Sequence, residues 1–135
     1  MENLTPNDRL TLLNIFQYGP RTQQELAERL GVTQQSASRI IARLGEARLI
    51  QPGPRAGLGL RGYPTASVQL VDRAACGLGL AVAPGSLTLV LADFIGTIVA
   101  RHSISVLSPS REQAFKFVQD MAPEMVAQAD LPWSA

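Results

Sequence analysis

A set of amide, hydroxyl and guanidinium side chains recurs at helical spacing in the first third of the sequence. The set comprises Thr33, Gln34, Gln35, Ser38, Arg39 and Arg43. Gln and Arg have the geometry that matches adenine and guanine edges in the major groove of duplex DNA. Hydroxyl and guanidinium groups also bind phosphate oxygens. These residue types predict base recognition by Gln34, Gln35, Ser38 and Arg39. They predict contacts to the DNA backbone by Thr33 and Arg43.

A helix over 34–47 must present these side chains, and the preceding residues predict how it is held. Thr22 and Glu25 match a capping box that starts a short helix over 23–30. Gly31 suits a turn with positive φ between the two helices. Small and apolar residues form the inner side, namely Ala27, Val32, Ala37, Ile40, Ile41 and Leu44. This spacing predicts a helix-turn-helix; the alternative is an ordinary αα-hairpin with a solvated polar face.

A further helix is predicted over 7–18, before the helix-turn-helix. Leu10, Leu13 and Phe16 recur at helical spacing and form its predicted inner stripe, which Leu12 and Ile15 widen. Gly19-Pro20 ends this helix.

The segment QPGPRAGLGLRGYPTASVQL predicts a strand, a glycine-rich loop and a second strand, which form a hairpin with residues 51–64 as its projecting part. Such a hairpin resembles the wing of a winged helix. Arg55 and Arg61 lie in the loop, where they would hold phosphates or enter a narrow minor groove. The alternative is a flexible hairpin whose arginines are incidental.

Residues 74–92 contain no charged residue, and their length approaches that of a membrane span. Pro84-Gly85 would break such a helix at its centre and fits a type II turn. Both flanks alternate with period two, which predicts a β-hairpin. In the first strand one face carries Leu78, Leu80 and Val82, and the other, the small-residue face, carries Gly77, Gly79, Ala81 and Ala83. In the second strand Leu87, Leu89 and Leu91 alternate with Thr88, Val90 and Ala92. No membrane span is expected.

A third strand over 97–106 and a final helix over 111–128 follow the hairpin. The helix is predicted to bury Phe115, Val118 and either Met121 or Met125. His102 is a lone histidine on a strand and is interpreted as structural.

Charge is distributed unevenly along the 135 residues, whose net charge is +1. Residues 1–70 carry eight arginines against five acids, whereas residues 71–135 carry four bases against six acids. The basic half therefore suits an anionic partner. The single cysteine excludes an intrachain disulfide, the sequence holds no zinc-type cluster, and its start does not read as a signal peptide. A cytoplasmic location is expected.

The segment LGLAVAPGSLTLVLADFIGTIVAR resembles the opening of the actin-like fold of the ROK (repressor, ORF, kinase) family, with Asp93 and Gly96 in register. ROK regulators also carry an N-terminal winged helix with a wing similar to PRAGLGLRGYP. Kinases of the family have an aspartate and a Gly-Gly-Thr turn where this chain has Ala81 and Ala83-Pro84-Gly85-Ser86. The resemblance therefore implies a regulator and no kinase, with no cofactor or metal and with a sugar as the possible class of effector.

The sequence thus predicts an α+β chain in two parts. Residues 1–72 would be a winged helix-turn-helix, and residues 73–135 a three-stranded antiparallel sheet with one helix, a partial actin-like (RNase H-like) domain. The expected function is sequence-specific binding of double-stranded DNA by a transcriptional regulator, with repression as the expected direction. A homodimer is expected, because the small-residue face of the sheet lacks a cover. The alternative is a small-molecule sensor or protein-interaction module whose winged helix does not bind DNA.

Overall fold

The structure, a computed structural model, describes residues 3–55 and 65–132. The chain divides into two compact units, Met1–Val71 and Asp72–Ala135. Each unit contains its own three-stranded antiparallel sheet and its own helices. Among the described residues, no helix has both the length and the apolar character needed to cross a bilayer.

In the described part of the N-terminal unit there are three helices and three short strands. These are α1 (Pro6–Tyr18), β1 (Arg21–Thr22), α2 (Gln23–Leu30), α3 (Gln34–Glu46), β2 (Ile50–Pro52) and β3 (Ser67–Leu70). The strand order is β1-β3-β2, and all pairs are antiparallel. Three helices packed with a small antiparallel sheet form a winged helix-turn-helix, which confirms the predicted fold of this region.

The inner faces of α2 and α3 meet as predicted. Ala27 and Ala37 are almost completely buried, so small side chains stand where the two helices approach each other. Ile40 and Leu44 continue the buried stripe of α3, and Ile41 is partly buried. The core of this unit is completed by Leu12, Ile15, Leu26, Leu49, Ile50 and Leu70.

The buried face of α1 differs from the predicted one. Leu10, Leu13 and Phe16 are 51%, 48% and 51% exposed, so their assignment to the inner stripe is wrong. The helix instead buries Leu12 and Ile15 together with two polar residues, Asp8 and Thr11. This helix has two apolar stripes. The stripe that faces the core also carries the Asp8 carboxylate, which pairs with Arg43 of α3.

The C-terminal unit is a meander followed by a helix: β4 (Cys76–Ala83), β5 (Gly85–Asp93), β6 (Ile98–Val106) and α4 (Arg111–Ala129). The order β4-β5-β6 places β5 in the centre. Ala83 pairs with Ser86, so Pro84 and Gly85 form the turn, and Gly85 has the positive φ of +88° that its turn position requires. The next turn is held by Asp93, whose Oδ1 accepts the backbone N–H groups of two later turn residues at 3.1 and 2.8 Å.

The predicted alternation of the hairpin is confirmed. Leu87, Leu89 and Leu91 are completely buried beneath α4. The opposite face of the sheet pairs Thr88 with Ala81 and Val90 with Gly79.

The side of α4 that faces the core differs from the predicted side at one aromatic residue. Phe115 is 65% exposed, whereas Phe117 is 7% exposed and belongs to the core, so the assignment of Phe115 is wrong. Val118 and Met121 are partly buried and Met125 is buried, as expected. The helix begins at a Ser110 cap, and from that start the inward stripe runs through Ala114 and Phe117 rather than through Phe115.

Candidate nucleic-acid interface

The start of α3 is defined by its cap, Thr33. The Thr33 hydroxyl accepts the Ser36 backbone N–H at 3.1 Å and donates to Ser36 Oγ at 3.0 Å. The preceding Gly31 adopts a left-handed conformation (φ +65°, ψ +34°), and Val32 N–H reaches back to the Ala27 carbonyl at 3.0 Å. The turn therefore fixes where α3 begins, and Thr33 is first of all a helix cap.

The predicted base-contacting residues lie on the outer face of α3. Gln34, Gln35, Ser38 and Arg39 are all exposed, while the opposite side of the same helix fills the core. We call these four residues the recognition face. A polar ridge of this kind on the second helix of a helix-turn-helix is the surface that enters a major groove in proteins of this architecture.

Gln34 is in contact with α2. Gln23 Nε2 donates to the Gln34 backbone carbonyl at 3.1 Å and to Gln34 Oε1 at 3.2 Å. Sequence reasoning missed Gln23. A signal was present, because Thr-Gln-Gln opens both helices, at Thr22 and again at Thr33.

Arg43 is bound to the buried carboxylate of Asp8. Arg43 Nη2 lies 2.6 Å from Asp8 Oδ1, and Arg43 Nε lies 3.2 and 3.1 Å from Oδ1 and Oδ2. Asp8 also accepts the Thr5 backbone N–H at 2.8 Å, within the capping box of α1. Burial opposes ionisation of Asp8, but the hydrogen bonds from Arg43 and Thr5 outweigh it, and the pKa of this carboxyl is lowered.

Because of this ion pair, Arg43 has a structural role in addition to the phosphate contact predicted for it. Two of its nitrogens are engaged by Asp8, so the guanidinium ties α3 to α1 before any phosphate is present. The side chain remains 48% exposed. Sequence spacing could not reveal the pair, since its members are 35 residues apart.

The base of the wing is closed by Gly53 and Ser67. Gly53 N–H donates to the Ser67 carbonyl at 2.9 Å, and the Ser67 hydroxyl donates to the Pro54 carbonyl. A Cβ on Gly53 would lie 2.7 Å from Ser67 Oγ, so a larger residue there would displace the Ser67 hydroxyl from this contact. Arg55 follows directly and is exposed. Arg61 lies outside the described residues.

Two more arginines border α1 and α2. The Arg29 guanidinium lies 4.0 Å from the centroid of the Tyr18 ring, within cation–π distance. Arg21 Nη2 donates to the Tyr18 carbonyl at 2.9 Å and forms a longer ion pair with Glu25 at 3.8 Å. Both therefore have partners within the unit and were not predicted as site residues.

The positions at which this chain differs from the ROK kinases lie in the first hairpin of the C-terminal unit. Ala81 pairs with Thr88 on the small-residue face. His102 lies on the opposite face of β6, with its ring centroid 6.1 Å from that of Phe117. Within 3–55 and 65–132, no group of three His, Cys, Asp or Glu side chains is arranged to hold a metal ion.

Residues 2–57 match the family model of the MarR family. The N-terminal unit is therefore similar in sequence to the MarR family over the helix-turn-helix and the start of the wing. The match covers the helix-turn-helix and the first strand of the MarR-type wing, and so includes Asp8, the recognition face and Arg55. No curated protein matches the sequence significantly.

Solved structures extend the likeness beyond the MarR-type winged helix. The chain superposes on a ROK family transcriptional regulator, a homolog of the E. coli MLC protein, with a TM-score of 0.63 and 19% identity over 92% of this chain. It spans 31% of that regulator's length. At this identity the likeness concerns the fold, and at that level it confirms the resemblance drawn from the sequence.

Two shorter matches involve about half of the chain. RV1404 from Mycobacterium tuberculosis is 29% identical over 54% of this chain and 47% of its own, with a TM-score of 0.46. NMB1585, a MarR family regulator from Neisseria meningitidis, is 22% identical over 54% of this chain and 49% of its own, with a TM-score of 0.43.

Proposed function

We propose that this chain is a sequence-specific DNA-binding transcriptional regulator that reads duplex DNA with α3 and the wing. The observation that supports it most directly is the two-sided character of α3. Its inner side is buried in the core, and its outer side exposes amide, hydroxyl and guanidinium groups. In this proposal residues 1–72 bind DNA and residues 73–135 form a partial ROK-like domain.

Base recognition is assigned to the recognition face. Gln34, Gln35 and Arg39 carry the donor and acceptor pairs that match purine edges, and Ser38 can donate to or accept from either. A good bidentate contact to the correct base provides about 1–3 kcal/mol of discrimination. Specificity would therefore depend on a few side chains within the first six residues of α3.

Phosphate contacts are assigned to the wing arginines and to the edges of α3. Arg55 leaves the closed base of the wing and is free to reach a phosphate or a minor groove. Arg61 is proposed for the same role from its position in the sequence. Thr33 and the exposed part of Arg43 would border the groove, with their structural contacts already in place.

A homodimer fits this mode of DNA binding, because two recognition helices one helical turn apart match a palindromic site. Two apolar surfaces would gain from a second copy: the small-residue face of the second sheet and the exposed side chains of Leu10, Leu13 and Phe16. Sedimentation at micromolar concentration should show a dimer. A monomer that binds a palindromic site with undiminished affinity would remove this part of the proposal.

Repression and a cytoplasmic location are proposed together with this function. A sugar effector remains an expectation that the family resemblance implies.

The decisive experiment is selection of binding sites by the purified protein from a random duplex library, followed by gel shifts of the selected site at stated salt concentrations. The expected result is an enriched sequence bound at least a thousandfold more tightly than random duplex, in the usual range of about 10³–10⁷. Failure to enrich any sequence would favour the alternative, a protein-interaction or sensor module.

A further inference from the structure

The contact between Gln23 and Gln34 joins the start of α2 to the start of the recognition face. Gln23 is the first residue of α2 and Gln34 the first residue of α3. Gln23 Nε2 lies 3.1 Å from the Gln34 backbone oxygen and 3.2 Å from the end of the Gln34 side chain. This contact has the geometry of two hydrogen bonds from one amide group.

The chemistry of this contact determines the orientation of both amides. A backbone carbonyl can only accept, so the end of Gln23 that faces it must be its –NH₂ group. That –NH₂ group also faces the Gln34 side chain, where only the Gln34 oxygen can accept from it. The Gln34 amide therefore turns its oxygen towards α2 and leaves its own –NH₂ group for an outside partner.

We infer that Gln23 is a positioning residue for base recognition, which fixes the Gln34 amide so that its –NH₂ end is presented to the major groove. The inference rests on the proposed function. A fixed donor suits base edges that present an acceptor, such as adenine or guanine N7. Purines are therefore preferred, and cytosine, whose major-groove edge presents only a donor, is disfavoured.

An alternative role for Gln23 is direct contact with DNA, but the geometry argues against this role. Its Nε2 lies within hydrogen-bond distance of two acceptors of Gln34, at 3.1 and 3.2 Å. Phosphate oxygens only accept, so Gln23 has no side-chain donor left for them while it holds Gln34. Its contribution to DNA recognition passes through Gln34.

A double-mutant cycle on the selected DNA site tests the inference. Gln23→Met keeps the length of the side chain but cannot donate, and Gln34→Ala removes the side chain being positioned. Gln23→Met should reduce discrimination by about three- to tenfold, the range expected for one net hydrogen bond, and only at the base pair that Gln34→Ala also affects. In the Gln34→Ala background, Gln23→Met should have no further effect.

Gln24→Met is the matched control, since Gln24 is the next residue and its side chain bonds to Glu28 at 3.0 Å instead. It should leave discrimination unchanged. Additive effects in the cycle, or an equal effect of Gln24→Met, would overturn the positioning role. A uniform loss for all sequences with a flatter salt dependence would instead identify Gln23 as a phosphate contact.

A measurement without DNA separates this inference from the proposed function. In the free protein, NMR should show contacts between the Gln23 side-chain amide protons and the protons of Gln34, and Gln24→Met should retain them. If these contacts are missing, the positioning role is wrong even when the wild type binds a specific site. If the wild type selects no DNA sequence, the proposed function fails first, and the role in base recognition fails with it.

Discussion

The guanidinium of Arg43 binds the buried carboxylate of Asp8, with Nη2 2.6 Å from Oδ1 and Nε within 3.2 Å of both oxygens. The pair connects the first turn of α1 to the last turn of α3. It therefore fixes the far end of the helix whose beginning carries the recognition face.

Replacing Asp8 should remove this connection and change the response to acid. Asp8→Asn should lower the stability of the N-terminal unit at pH 7 by about 1–3 kcal/mol, the usual value of hydrogen bonds to a charged group. Because the folded pKa of Asp8 is lowered, its stabilising effect is present above about pH 4 and is lost as the pH falls through the folded pKa. Urea unfolding between pH 2 and 7 should show the difference from wild type shrinking in acid.

Asp120→Asn serves as the control for this prediction. Asp120 pairs with Lys116 at 2.8 Å, but both side chains are largely exposed. Exposed pairs of this kind contribute little, so its loss should leave the unfolding curve nearly unchanged. An Asp8→Asn variant as stable as wild type at every pH would show that the pair with Arg43 is not stabilising.

Arg39→Ala should weaken binding to the selected DNA site and relax specificity at one base pair. The expected loss is about 1–3 kcal/mol, the value of the bidentate base contact proposed for this arginine. Competition gel shifts with single-base variants of the site measure it. Arg101→Ala changes an exposed arginine of β6 and should have no such effect. Undiminished binding by Arg39→Ala would contradict the assignment of the recognition face.

Arg55→Ala should act on all DNA sequences alike. A phosphate contact carries no sequence information, so specificity should persist while affinity falls. The slope of log K against log salt concentration should decrease in magnitude by about 0.9 for each phosphate that the variant no longer neutralises. A change of base preference in this variant would mean that Arg55 reads bases.

Arg48→Gly should stabilise the N-terminal unit. Arg48 follows α3 with a positive φ of +58°, and its N–H bonds to the Gly45 carbonyl at 3.0 Å while Leu49 N–H reaches the Leu44 carbonyl at 3.0 Å. This helix end favours glycine, and the gain should be on the order of 1 kcal/mol. The thermal unfolding temperature should rise for Arg48→Gly but not for Arg48→Ala, which keeps the unfavourable conformation.

Phe117→Ala and Phe115→Ala should differ sharply in the C-terminal unit. Phe117 is buried among the leucines of β5, so its truncation should cost about 3–5 kcal/mol. Phe115 is mostly exposed, and its truncation should stay within about 0.5 kcal/mol of wild type. Denaturant unfolding of the two variants compares them directly. The reverse order would mean that α4 has the phase predicted from the sequence.

Local signals in the sequence predicted most of the fold. The Thr22–Glu25 capping box, the left-handed Gly31 and the Pro84-Gly85 turn each depend on residues close together in the chain, and all three are confirmed. The short strand β1 was missed, because two residues are too few to produce a periodic pattern.

Other features were missed because they depend on residues that are distant in the sequence. From the sequence alone Asp8 is expected to be exposed, because its partner Arg43 lies 35 positions later. The pair with Arg43 allows Asp8 to be buried and so determines which stripe of α1 faces inward. For the same reason Gln23 looked like one polar residue among several, although it bonds to a residue 11 positions away. The placement of the recognition face on α3 was predictable, whereas its supporting contacts were not.

Thr22 is the last residue of β1, the cap of α2 and the neighbour of Gln23. On its other side it pairs with Ser67, the residue that closes the base of the wing. Ser67 and Thr22 therefore connect the base of the wing to Gln23, and the Gln23 amide connects them to the first side chain of α3. The two surfaces proposed to contact DNA thus rest on one short series of neighbouring contacts within the N-terminal unit.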